Sequence, residues 1–137
     1  MKRILVLLLL LMIIFGCANS RILYNHPIDN KENPTKIVVY RNFMFMGSAL
    51  LTQLNVDGIL TAEFFGNEFA ELPVPPGNHT ISTTNAVNVS IANRKVYQSG
   101  TTYFFDATYE RRKETGILSE VTEEVAKKTI KNMKRIE

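Results

Sequence analysis

The sequence predicts a mainly β protein: a small antiparallel β-sandwich with one C-terminal amphipathic α-helix. Three observations predict it. Short β-branched and aromatic runs follow one another through most of the chain. Tight-turn residues separate them, at Asp57-Gly58, Gly66-Asn67, Pro75-Pro76-Gly77 and Ser99-Gly100. Many short strands at this spacing indicate a β-sandwich or barrel and not a parallel α/β sheet, and after residue 120 the apolar spacing changes from two to the helical period.

Before the body come two segments of different character. Lys2 and Arg3 precede residues 4–15, which are twelve unbroken apolar residues. A membrane-spanning helix needs about 20, whereas twelve suits the apolar stretch of a signal peptide. Next comes Ile14-Phe15-Gly16-Cys17, and Cys17 is the only cysteine in the chain. One cysteine makes neither an internal disulfide nor a cysteine-based metal site.

This run resembles the lipobox of bacterial lipoproteins: an aliphatic residue, a variable one, a small one, then cysteine. The resemblance implies cleavage between Gly16 and Cys17. It also implies a diacylglyceryl thioether on Cys17 and acylation of the new amine, a palmitate-type anchor. An uncleaved signal anchor is the alternative. Several acyl chains hold a protein stably on a membrane where one does not. Ala18, where the sorting rule of Gram-negative envelopes places Asp for inner-membrane retention, favours the outer membrane if the envelope is Gram-negative.

Residues 1–16 are therefore read as signal peptide and residues 17–35 as a lipidated, flexible tether, rich in Asn and punctuated by Pro27 and Pro34. His26 falls here and is read as a solvated loop residue. Fully extended, these residues would reach about 60 Å.

The body is residues 36–137. Residues 36–41 hold Ile37, Val38, Val39 and Tyr40 and form a strand. Residues 43–46, Phe-Met-Phe-Met, are read as a short strand or a buried loop. Residues 50–56 and 59–65 pair through Asp57-Gly58, since that dipeptide accepts positive φ at both turn positions. Residues 69–74 follow the Gly66-Asn67 turn. A strand over 79–84 leaves Pro75-Pro76-Gly77, where proline fixes φ and removes a donor. Val87, Val89 and Ile91 alternate with small polar residues, Asn93-Arg94 reads as a turn, and residues 96–98 resume a strand. Residues 101–109 place Tyr103, Phe105, Ala107 and Tyr109 on one face.

At the end, Val121, Val125, Ala126, Ile130 and Met133 recur at helical spacing. Thr122 is the N-cap, Glu123 and Glu124 open the helix, and Lys127, Lys128, Lys131, Lys134 and Arg135 load its later turns. Its apolar stripe is expected on a sheet or across one sandwich edge.

Val56-Asp57-Gly58, then Leu72-Pro73-Val74-Pro75-Pro76-Gly77, then His79 and Ile81 resemble the repeating theme of PEGA-like domains, which are small β-sandwiches. Val39-Tyr40-Arg41 and Ser99-Gly100-Thr101-Thr102-Tyr103 look like single-domain lipoprotein relatives of that family. The resemblance runs roughly over residues 36–130 and implies an envelope-facing binding or scaffold module. Its motifs are turn chemistry and carry no active site.

A search for catalytic chemistry returns little. There is no Gly-x-Ser-x-Gly elbow, phosphate loop or His-Glu-x-x-His. His26 and His79 are the only imidazoles. His79 reads as turn-stabilising or exposed and Asp57 as a turn residue. Glu63 and Glu68 read as a solvent-facing edge pair, and Asp106 as a wet-face carboxylate. Tyr97, Tyr103 and Tyr109 read as core.

The 137 residues carry a net charge of +3, but without residues 1–16 the basic count falls from 16 to 14 against 13 acidic residues. The remainder gives no support to nucleic-acid binding. Lys127, Lys128, Lys131, Lys134 and Arg135 are the one basic contact surface. It suits anionic headgroups or peptidoglycan carboxylates, or is a solvated helix face.

The expectation is a non-enzymatic, membrane-anchored envelope lipoprotein with a protein partner. It has no metal and no cofactor beyond the covalent lipid on Cys17. The alternatives are a peptidoglycan- or glycan-binding module and, behind it, a hydrolase inhibitor working through the loop of residues 75–79.

Overall fold

The structure is a computed structural model that describes residues 19–28, 33–42, 49–85, 93–110, 115–116 and 118–137. The readings of residues 1–18, residues 43–46, Val87, Val89 and Ile91 lie outside these, as does the side chain of Tyr109.

Twelve strands and one helix are described. The strands are β1 (Arg21–Ile22), β2 (Thr35–Arg41), β3 (Thr52–Val56), β4 (Ile59–Phe64), β5 (Glu68–Val74), β6 (Gly77–Asn85), β7 (Asn93–Tyr97), β8 (Thr102–Asp106), β9 (Tyr109–Glu110), β10 (Thr115–Gly116), β11 (Ser119–Val121) and β12 (Lys134–Arg135); α1 (Glu123–Ile130) lies between the last two. One five-stranded sheet has the order β1-β4-β3-β6-β7, a second has β11-β8-β2-β5-β12, and β9 and β10 form a small hairpin.

The protein is thus mainly β, a β-sandwich-like body of two sheets. The first sheet is antiparallel throughout. The second is mixed, because β2 runs parallel to β8 and β12 parallel to β5. This corrects the all-antiparallel expectation. β2 and β8 meet only after the intervening chain has passed through the other sheet, so no local turn sets their direction.

The two sheets bury one core between them. Leu54, Val56, Ala62, Phe64, Ile81 and Tyr97 come from the first, and Ile37, Val39, Ala70, Leu72, Val74 and Phe105 from the second. Burying such a side chain contributes about 1.5–3 kcal/mol each. A second cluster lies on the far side of the second sheet, where α1 places Ala126 on Val38, Tyr40 and Phe104. That layer explains why β2 is buried on both faces.

α1 is shorter than its period suggested. Thr122 caps it as expected, with its Oγ1 accepting from the Val125 N–H. The helix stops at Ile130, so Lys134 and Arg135 are not helical but form β12 beside β5. Asn93-Arg94, expected as a turn, begins β7.

The expected tether is largely bound to the body. Arg21 and Ile22 pair with Glu63 and Ala62 of β4. A register shift between Leu54 and Asn55 leaves Thr61 opposite no residue of β3. Its carbonyl instead accepts from the Leu23 N–H at 2.8 Å and the Tyr24 N–H at 3.2 Å. The bulge thus supplies the acceptor that fastens this strap. At the other end of the body, Asn33 O accepts from the Gly100 N–H and Ser99 Oγ.

Candidate functional site at the Asp57–His79 turn

Asp57 and Gly58 turn β3 into β4 with φ of 54° and 80°. This left-handed pair is what an Asp-Gly hairpin requires. The turn leaves the Asp57 carboxylate beside β6. Its Oδ1 accepts from the Thr80 N–H at 2.8 Å, and the Asp57 N–H donates to Thr80 O at 2.9 Å. Its Oδ2 lies 2.6 Å from His79 Nδ1, and His79 Nε2 lies 2.8 Å from Pro75 O. One imidazole therefore joins the Asp57-Gly58 hairpin to the Pro75-Pro76-Gly77 reversal. Gly77, with φ of 137°, opens β6 directly after that reversal.

Each ring nitrogen faces an oxygen, Nδ1 the Asp57 carboxylate and Nε2 the Pro75 carbonyl. Burial pushes the Asp57 carboxyl up. The hydrogen bonds from His79 and Thr80, with the charges of His79 and His26, outweigh this and leave it below the usual carboxylate range. His79 is thereby a turn-stabilising residue, as the sequence suggested.

His26 is not the solvated loop residue expected. It is half-buried, stands edge-on to Tyr24 at 4.9 Å, and has Nε2 3.4 Å from Thr61 Oγ1. Burial lowers its pKa; Asp57 opposes that shift and His79 adds to it. The two histidines, 53 positions apart in sequence, thus share the field of one carboxylate.

Beside this turn the two sheets are fastened along one side. Lys95 of β7 reaches across to Glu120 of β11, with Nζ 2.7 Å from both carboxylate oxygens. The same ammonium lies 4.1 Å from the Tyr103 ring centroid and 5.5 Å from that of Tyr97. Tyr97 and Tyr103 meet edge-on at 4.9 Å. Tyr97 is buried, and burial raises its phenol pKa strongly, with Glu120, Tyr103 and Asp57 adding to the shift. Tyr103 is half-buried beneath Lys95.

The carboxylates expected at a wet edge are largely covered. Glu63 accepts from Gln53 Nε2 at 3.1 Å and faces Arg21 at 3.6 Å. Glu68 accepts from the Phe65 N–H at 2.8 Å, pairs with Lys134 at 3.4 Å and receives the Ser20 hydroxyl. Asp106 is half-buried and accepts from the Thr108 N–H at 2.7 Å.

The basic segment is divided. Lys127 pairs with Glu123 at 2.5 Å, Lys134 with Glu68, and Arg135 with Glu71 at 3.7 Å. Lys128 and Lys131 are exposed and make no ion pair among the described residues.

Sequence reasoning missed two features. Arg41 is buried and donates to Leu50 O at 2.6 Å and Thr52 Oγ1 at 2.8 Å, and burial lowers its pKa. The Lys95–Glu120 link joins strands of different sheets. Neither leaves a local signal in sequence. Among the described residues, no three His, Cys, Asp or Glu side chains gather as a metal site, and no helix is long and apolar enough to cross a membrane.

Set against protein-family models, characterised proteins and solved structures, the chain matches none.

Proposed function

We propose that this chain is an envelope lipoprotein, anchored through an acylated Cys17, whose body is a non-enzymatic docking module of the PEGA-like kind for another envelope protein. The observation that carries this reading is the Asp57–His79–Pro75 unit. The two halves of the sequence theme, Val56-Asp57-Gly58 and Pro76-Gly77-Asn78-His79, meet in one hydrogen-bonded cluster. A turn end braced in this way is preorganised, and such a surface loses little conformational freedom when a partner covers it.

The imidazole is spent on bracing, since its second nitrogen faces a backbone carbonyl rather than an open cleft. Of the tyrosines weighed for glycan stacking, Tyr97 is buried and Tyr103 is capped by Lys95, while Tyr24 of the strap stands exposed.

Crosslinking the full-length protein in native envelopes, with mass spectrometry of the adducts, tests this. A dominant protein adduct at residues 57–58 or 75–79 is expected. Adducts confined to peptidoglycan would overturn it. The anchor is tested separately with Cys17→Ser, which should leave an unlipidated precursor with its signal peptide intact; mature protein of lipidated mass would refute the lipobox.

A further inference from the structure

We infer that one end of the body rests on an anionic lipid bilayer: the end carrying the Gly66-Asn67 turn and the last turn of α1. This inference rests on the lipid anchor proposed above, and goes beyond it in fixing the orientation and the contact surface.

The first argument is length. Arg21 is already paired in the sheet, so only four residue steps separate it from Cys17. Four steps span at most about 14 Å. The long tether suggested by the sequence would have left the body free to face any direction; a leash this short does not.

The second argument is where the leash ends. Ser20 donates to Glu68, Glu68 pairs with Lys134, and the Lys134 N–H donates to Asn67 O at 3.2 Å. The anchored segment therefore enters the body beside the β4–β5 turn and the residues just past α1. β6 runs nine residues from the opposite end, a length of about 30 Å. Asp57, His79 and Gly77 lie at that opposite end.

The third argument is charge. Lys128 and Lys131 occupy the last turn of α1 and the residue after it, exposed and without an ion pair among the described residues. Arg21 and Lys134 flank them across the end. Their side chains are 62% and 72% exposed although each contacts a carboxylate. Their carboxylate partners are largely covered and accept other hydrogen bonds, Glu63 from Gln53 and Glu68 from the Phe65 N–H, so the two cations stay at this end with their open sides toward solvent. Basic residues held within a Debye length of an anionic surface are attracted to it. The surface fits a bilayer bearing anionic headgroups.

The test uses the full-length lipidated protein in vesicles of phosphatidylcholine with and without phosphatidylglycerol. A fluorophore is placed at Asn132→Cys, beside the end of α1, or at Asn78→Cys, at the opposite end. Both positions are exposed. A quencher carried on lipid headgroups should quench the Asn132 label several-fold more than the Asn78 label. Phosphatidylglycerol should widen that difference, and Lys128→Glu with Lys131→Glu should return it to the value in phosphatidylcholine alone. Both substitutions are at exposed sites, and an unchanged melting temperature verifies the fold.

Equal quenching at the two positions in protein of lipidated mass would overturn the orientation and leave the anchor standing. Quenching indifferent to phosphatidylglycerol and to charge reversal would overturn the lipid contact. Protein lacking the lipid mass and remaining in the supernatant would overturn the anchor, and this inference with it.

Discussion

Gly58 is held by its backbone alone. Its φ is 80°, and nothing lies within 4 Å of where a Cβ would be. Gly58→Val should therefore strain the turn without a steric clash, since β-branched residues resist positive φ. The expected loss is about 1–2 kcal/mol of stability, read from the urea midpoint; an unchanged midpoint would argue against the hairpin.

His26 gives a pH-dependent counterpart at the same scale. Its folded pKa lies below its ordinary 6.5, chiefly because burial disfavours the charged ring. The unfolded chain therefore takes up its proton first on acidification. The His26 contribution is complete above pH 6.5 and is lost as the pH falls through the depressed folded value. The melting temperature should drop over that window, and His26→Gln should flatten the drop. Asp57 acts in a separate window. Its carboxyl is depressed below an ordinary 3.8, so its contribution is lost only in stronger acid.

At the scale of elements, α1 acts as a lid on the second sheet. Ala126 is fully buried on Val38, Tyr40 and Phe104. Burial and the nearby Asp106 push the Tyr40 hydroxyl up to about 12, partly offset by a hydrogen bond with Thr129 of α1. Ala126→Asp would bury an unpaired carboxylate, at a cost of about 3 kcal/mol or more. Ultraviolet titration should then find Tyr40 ionising nearer its ordinary 10, because the helix no longer covers it. A Tyr40 transition still near 12 would mean that α1 does not shield it.

The same scale shows what a sequence can reveal. The β3–β4 and β4–β5 hairpins were legible because Asp57, Gly58 and Asn67 carry their positive φ in local residue types. Thr122 and the acidic first turn marked the start of α1 for the same reason. The parallel β2–β8 pairing was not legible, since it joins Lys36 to Thr102 with no turn between them. β12 was hidden because Lys134 and Arg135 continue the charge pattern of the helix. Of the candidate site, Asp57 and His79 could each be named as turn residues. Their bond could not, because it depends on the register of β3 against β6.

For the whole molecule, the strap of residues 19–28 decides how far the body would stand from the anchor proposed at Cys17. Nothing in its composition marks it as sheet; β1 is two residues long and is held by a carbonyl that only the Thr61 bulge exposes. Leu23→Pro tests that fastening selectively. It removes the N–H bonded to Thr61 O, while the Leu23 side chain is 39% exposed and adds little to the core. The expected cost is about 1 kcal/mol, too small to unfold the two-sheet core. Release of the strap should nevertheless speed tryptic cleavage after Arg21. Where the neighbouring Tyr24 and His26 contacts with Thr61 open with it, the leash lengthens to the fastening at Asn33, sixteen residues from Cys17 and about 55 Å when extended. A body on so long a leash is no longer held end-on. The Asn132 label should then lose its headgroup quenching even with Lys128 and Lys131 intact. If cleavage stays slow, the strap does not depend on the Thr61 bond. If cleavage accelerates and quenching persists, the basic end holds the bilayer without help from the short leash.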